Sequence, residues 1–185
     1  MNHEQKVYTA YHEAGHAVVS VKLYLKFLYV TIKPTDADCW GHVKYPPTPK
    51  RISDCLLHIG CPKSRARDRE TREFYENHAI SSFAGRDALE DHLRHTVEQG
   101  HEDDYEKARK GIAEVGGDKI PPHTGQIPPH IQEYCSQWLR ARSKHLVEFY
   151  RNEIDAVAQA LIKRERLTWQ DVLRIMDDAA QVTQS

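Results

Sequence analysis

No apolar run in this 185-residue chain approaches the roughly 20 residues needed to cross a bilayer. No membrane segment is therefore expected. The opening Met1-Asn2-His3-Glu4-Gln5 is polar and has no signal-peptide core. Cysteine is scarce, with four residues (Cys39, Cys55, Cys61, Cys135) and no C-x-x-C pair. That pattern argues against a disulfide framework or a thiolate cluster and predicts reduced thiols in a cytoplasmic protein. A net charge of −1 leaves no global field to attract nucleic acid or anionic lipid. Arg65, Arg67, Arg69 and Arg72 form a local basic run, but Asp68, Glu70 and Glu73 interleave with it and make a solvated helix face the better reading. Internal repeats are absent, and the length suits one domain over residues 1–185.

Against these absences stands His12-Glu13-Ala14-Gly15-His16. On an α-helix, positions i and i+4 share a face, so two imidazoles placed this way can hold one tetrahedral Zn²⁺. Glu13 is rotated about 100° from His12, where it can serve a metal-bound water as general base instead of becoming a ligand. Val7, Tyr11, Ala14, Val18, Val21 and Leu25 recur at 3-4 spacing and predict a buried stripe on the same helix. Gly15 costs about 1 kcal/mol in a helix interior. Its place between two candidate ligands points to a close neighbour. The bland alternative is an ordinary amphipathic helix carrying two histidines.

Periodicity and breakers predict a mostly α-helical α+β fold, with the zinc-peptidase helix beside a small β-sheet and a C-terminal helical bundle. Helix one should run from about Glu4 to Leu25. Strands follow at Phe27–Lys33 and Trp40–Tyr45, paired with each other. Residues 52–93 read as helical, interrupted at Gly60-Cys61-Pro62 and near Gly85. Another helix covers 102–115, and residues 116–130, rich in proline and glycine, form a loop or lid. Residues 131–185 supply C-terminal helices. Ile131–Lys163 is long and open to a kink, and Thr168 with Asp171 caps a last helix over 169–179. Tyr134, Trp138, Phe149 and Tyr150 fit core or inter-helix packing.

A hydrolytic zinc site usually takes three protein ligands plus water, so a third is needed. The extended metzincin pattern is excluded, because Val19 and Lys22 occupy its Gly and His positions. Glu73, Glu76 or Glu90 would serve on spacing alone. So would the cluster Gly100-His101-Glu102-Asp103-Asp104 at a predicted helix start, where carboxylates are also favoured simply by the helix dipole. The other histidines lack ligand spacing and default to surface or capping roles. His42 and His123 are the two that would assist an oxyanion if the fold brought them near.

His12 to Val19 resembles the peptidase-domain motif of the FtsH-type ATP-dependent zinc metalloproteases. Four further stretches resemble that family in the same order. They are Val30-Thr31-Ile32-Lys33-Pro34 with Gly41; Ala84-Gly85-Arg86-Asp87-Ala88-Leu89-Glu90; Gly100 to Asp104 with Ala108-Arg109; and Ala160 to Thr168. The ordered set spans most of the chain and is more specific than the first motif alone, while residues 50–80 and 116–131 match poorly. The resemblance implies that Asp104 is the third zinc ligand, with His101 and Asp103 as competitors. It also implies hydrolysis of extended or unfolded polypeptides with Glu13 as general base. No G-x-x-x-x-G-K-[ST] phosphate loop occurs. A stand-alone, ATP-independent relative is therefore expected, open to a homo-oligomer or a separate ATPase partner. Two rivals stand beside it: a regulator-cleaving zinc protease similar to the ImmA/IrrE type, and a non-catalytic zinc-binding adaptor.

Overall fold

The computed structural model describes residues 1–34, 40–49, 65–97, 102–115 and 129–182. Among them, the chain runs through α1 (His3–Lys22), β1 (Tyr29–Thr31), β2 (His42–Lys44), α2 (Arg65–Leu93), α3 (Glu102–Val115), α4 (Pro129–Phe149), α5 (Arg151–Arg164), β3 (Arg166–Thr168) and α6 (Trp169–Val182). It is the expected helix-dominated α+β fold with one small antiparallel sheet. The expected break at Gly60-Cys61-Pro62 lies outside the described residues, as does 116–128 of the expected lid.

Local chemistry explains where α1 begins and ends. Asn2 caps it through a reciprocal pair, in which Gln5 N–H donates to Asn2 Oδ1 (2.8 Å) and Asn2 N–H to Gln5 Oε1 (2.9 Å). At the other end Tyr24 turns left-handed (φ 58°), and Leu25 N–H reaches back to Ser20 O at 2.8 Å. That six-to-one closure satisfies an otherwise orphaned carbonyl and buries Leu25 behind the helix. Between these ends α1 is the hub of the molecule. Ala10, Tyr11 and Glu13 through Ser20 are all buried, more than a single apolar stripe would cover. The extra coverage comes from α2 on one side and α5, α6 and the sheet on the others.

The sheet has the order β2-β1-β3, with both pairings antiparallel. Val30, wholly buried at its centre, faces Val43 on one side and Leu167 on the other. The expected pairing of the first two strands holds. The third strand was not expected: Arg-Leu-Thr alternates in burial, but three residues are too few to register as a period. The Thr168–Asp171 cap is present, with Thr168 N–H donating to Asp171 Oδ2 (2.9 Å) and Asp171 N–H to Thr168 Oγ1 (3.2 Å).

Two expectations are corrected. First, α2 runs unbroken through Gly85, because that glycine answers a packing demand from α1 and does not end a helix. Second, Tyr134, Trp138 and Phe149 are exposed, with more than half of each surface open to solvent. The inward stripe of α4 is Leu139, Ser143 and Val147, at i, i+4 and i+8, and the aromatics occupy the next face round. Tyr150 is the break between α4 and α5, within the stretch Ile131–Lys163 read as one long helix open to a kink.

Buried apolar side chains form one cluster joining all these elements. Its tightest point is the α1–α2 crossing. A Cβ on Gly15 would lie 2.6 Å from Ala88 Cβ and still closer to the Ala84 carbonyl oxygen. In an exposed helix Gly→Ala gains about 1 kcal/mol. Here Gly15→Ala should instead destabilise the protein by about 1–3 kcal/mol, the range for overpacking a well-filled interface. Denaturant midpoints of the two proteins decide the sign, and an unchanged or raised midpoint would contradict this account of the crossing.

Candidate metal centre

Three side chains from two helices converge above that crossing. His12 and His16 project from adjacent turns of α1, and Asp104 projects from the first turn of α3. His12 Nε2 and His16 Nε2 are 3.0 Å apart, and Asp104 Oδ2 lies 3.0 Å from the first and 3.2 Å from the second. Tetrahedral ligands about 2.0–2.1 Å from a zinc ion stand roughly 3.3 Å from one another, close to these separations. Among the described residues this is the one group of three or more His, Cys, Asp or Glu side chains placed to share an ion.

Polar groups behind the cluster fix its orientation. His16 Nδ1 donates to the Ser81 carbonyl on α2 at 2.6 Å, which leaves Nε2 with its lone pair turned to the centre. Beneath it, Ser20 Oγ, Ser81 Oγ and Tyr45 Oη form a closed triangle of 2.6, 2.8 and 3.0 Å. This triangle ties α1 and α2 to the residue after β2. Gly85 gives the rings their space, since a Cβ there would sit 2.6 Å from His16 Cε1 and 2.9 Å from His12 Cε1.

Two imidazole nitrogens and a carboxylate oxygen thus share one small space, which holds together only when protons or a cation sit between them. The titration of the site reflects this. Burial opposes ionisation of Asp104, but the charge on His16 and hydrogen bonds from both imidazoles hold its carboxyl far below the usual range. Burial likewise opposes a charged His16, yet Asp104, Glu13 and the Ser81 carbonyl push it up to about 9. His12, desolvated and repelled by His16, is lowered.

Glu13 is buried at 5% exposure, and its Oε2 has no hydrogen-bond partner among the described residues. Burial pushes its carboxyl up to about 7, against the pull of His16. The backbone of Gly41, just before β2, closes over it: a Cβ there would be 2.8 Å from Glu13 Cγ.

The glutamates open on spacing do not join the group. Glu90 accepts from Arg86 (2.6 Å) and from Val97 N–H (3.1 Å), and neither Glu73 nor Glu76 reaches the centre. Asp103 is exposed and does not join the group, and His101 lies outside the described residues. His42 packs half-buried against the Tyr29 ring, with centroids 5.6 Å apart, and His123 lies outside the described residues. One histidine departs from the surface default: His78 packs between Tyr45 and Phe74, where burial lowers it to about 4. His92 is exposed as expected and stacks on the Tyr11 ring at 3.5 Å. Sequence reading missed the Ser20–Ser81–Tyr45 triangle, since hydroxyl residues dispersed over 61 positions carry no spacing signal. No protein-family model matches the chain, and no curated protein is significantly similar to it.

A divalent metal entering this centre must expel the proton that His16 holds below about pH 9. Affinity should therefore rise about tenfold per pH unit from pH 7 towards 9 and level off beyond it. Calorimetry at pH 7.5 in two buffers of different ionisation enthalpy should count close to one proton released per metal. His12→Ala, His16→Ala and Asp104→Ala should each lose most bound metal while Asp103→Ala keeps it. Full metal content in Asp104→Ala would place the third ligand elsewhere.

Proposed function

We propose that this chain is a zinc-dependent endopeptidase, a relative of the FtsH-type peptidase domains that acts on unfolded or extended polypeptide. The observation that carries this reading is Glu13: a buried carboxylate with an unpartnered oxygen, one residue from a ligand, beside a His-His-Asp cluster. Leaving a buried carboxylate oxygen unsatisfied costs stability. An adaptor with a merely structural metal gains nothing in exchange, whereas a hydrolase gains a base poised near neutral pH.

His12, His16 and Asp104 would hold the ion, and the mixed nitrogen and oxygen donor set suits zinc. A bound zinc ion supplies acidification of water and polarisation of the substrate carbonyl. Glu13 accepts the proton of the attacking water and then delivers it to the leaving amine. Burial keeps Glu13 dry enough to favour the transfer, and Gly41, lacking a side chain, leaves the carboxylate its room.

The substrate reading rests on the sheet. β2 pairs with β1 on one side only among the described residues, so its outer edge offers backbone donors and acceptors to an extended peptide. Such pairing reads main chain more than side chains, which supports loose sequence preference. The 185 residues contain no phosphate-loop motif to drive unfolding work, typically 5–15 kcal/mol per domain. A separate ATPase or self-assembly would have to supply delivery where folded targets are concerned.

Glu13→Gln should retain its zinc and its fold while peptide hydrolysis falls about 100- to 10,000-fold, since the base is lost and the ligands remain. Zinc content and turnover are measured on the same preparation, and an equally active variant would remove Glu13 from the chemistry. Wild type should cut a permanently unfolded polypeptide with or without ATP and lose that activity to a chelator. A stable globular protein should survive under the same conditions. Failure to cut any substrate would favour the adaptor reading.

A further inference from the structure

The carboxylate of Asp104 has two oxygens, and they face different partners. Oδ2 points to both imidazoles, whereas Oδ1 receives Lys107 Nζ at 3.0 Å from one turn further along α3. Among the described residues no other donor reaches Oδ1. From this geometry we infer that Lys107 is a positioning residue of the metal centre, which occupies Oδ1 so that Asp104 offers the ion one oxygen only.

The ordinary alternative is a surface ion pair at i, i+3, worth a few tenths of a kcal/mol and of no consequence to the site. Lys107 itself is two-thirds exposed, which fits that alternative. Its partner does not. The Asp104 side chain is only 16% exposed and is pinned between two imidazoles, so a bond to its free oxygen acts on a group already desolvated and oriented. The neighbouring acidic residues of the same turn, Glu102 and Asp103, are exposed, unlike Asp104.

The chemical consequence follows from how carboxylates bind metals. A carboxylate free to rotate can chelate through both oxygens and fill a second coordination position. A hydrolytic site needs that position open for water or substrate. Lys107 holds Oδ1 in a charge-assisted hydrogen bond and so favours one-oxygen binding. The arrangement parallels the general rule that partners of ligands orient them and tune affinity, with losses of about 10- to 100-fold when such a partner is removed. The inference rests on the metal-binding reading of His12, His16 and Asp104, and it is independent of whether the substrate is a polypeptide.

The test compares the full chain with Lys107→Met, which keeps the aliphatic stem, and Lys107→Arg, which keeps a donor. Each is stripped of metal and titrated with zinc against a competing chelator, then reloaded with cobalt(II) to read coordination number from its visible absorption. Lys107→Met should bind zinc about 10-fold or more weakly. Its cobalt spectrum should lose intensity, as expected when a four-coordinate centre gains a ligand. Lys107→Arg should restore both. Melting curves check that all three share one fold, which the exposure of Lys107 favours. A Lys107→Met protein with the wild-type affinity and spectrum would overturn the inference while leaving the site intact. Loss in Lys107→Met without recovery in Lys107→Arg would also count against it, since the hydrogen bond is the stated cause. Wild type that takes up neither metal would instead overturn the metal-centre reading itself, so the two failures are distinguishable.

Discussion

The α1–α2 crossing is the constraint on which the rest of this molecule depends. Two glycines, one on each helix, remove the side chains that would hold the helices apart: Gly15 lies against Ala84 and Ala88, and Gly85 lies beneath His12 and His16. Helices at ordinary separation would leave the Ser81 carbonyl out of reach of His16 Nδ1, and the 2.6 Å bond that orients the imidazole would not form. The same approach brings Ser20 and Ser81 to 2.8 Å and lets Tyr45 complete their triangle. Packing and site geometry are thus one problem. The conformational cost of a glycine in each helix, about 1 kcal/mol apiece, is offset by contacts that only glycine permits.

A second constraint is electrostatic. Burial removes the solvent that would otherwise separate His12, His16, Asp104 and Glu13, so each group's ionisation is set by the others. Two carboxylates and two imidazoles within one dry space cannot all take their ordinary states. The conflict falls unevenly: His16 holds the Asp104 carboxyl well below the usual range, His16 is pushed up to about 9, and burial pushes Glu13 up to about 7 with one oxygen unpartnered. A site so unbalanced is costly as a pure scaffold. It has a use when a cation replaces the proton on His16 and a water proton passes to Glu13. That is the physical content of the peptidase reading, and it makes the poorest-satisfied group the one expected to do chemistry.

How much of this was legible in the sequence depends on the length of the signal. The His12–His16 pair, the partner-seeking Gly15 and the long α1 stripe repeat over several turns; the structure buries Tyr11, Ala14 and Val18 of that stripe, half-buries Val7 and Val21, and places Leu25 beyond the helix end at Lys22. Asp104 could not be reached that way. Its contact with His12 crosses 92 positions, and in its own helix an acidic first turn is what the dipole alone would favour. Only the ordered likeness to a family singled it out from Asp103. Gly85 misled because a glycine in a helical pattern reads as a breaker, although its reason lay on another helix. The aromatics of α4 misled for a related cause. Tyr134, Trp138 and Phe149 have core-like size, yet a parallel stripe of smaller residues, Leu139, Ser143 and Val147, took the inward face. Residue type proposes a face, and only the neighbouring helix decides which face is filled.

The C-terminal stretch from Ala160 to Thr168 is a stretch with no apparent chemistry, and the structure gives it a mechanical reason. α5 must stop abruptly for β3 to begin, and Glu165 makes the stop by turning left-handed at φ 60° with its N–H on Leu161 O. The turned peptide then presents its carbonyl to β1, where Ile32 N–H (3.0 Å) and Thr31 Oγ1 (2.9 Å) both donate to it. Its side chain reaches Lys6 on α1 at 2.8 Å, 159 positions away. A left-handed glutamate costs of order 1 kcal/mol, and these three long-range bonds are what hold it there. Through them the far end of the chain fixes β1, and β1 fixes β2 through the Val30–Val43 pairing. β2 in turn follows Gly41, which covers Glu13, and precedes Tyr45, which closes the hydroxyl triangle under His16. The placement of Glu13 and His16 is thus anchored at residue 165 as well as at the His-Glu-x-x-His turn itself.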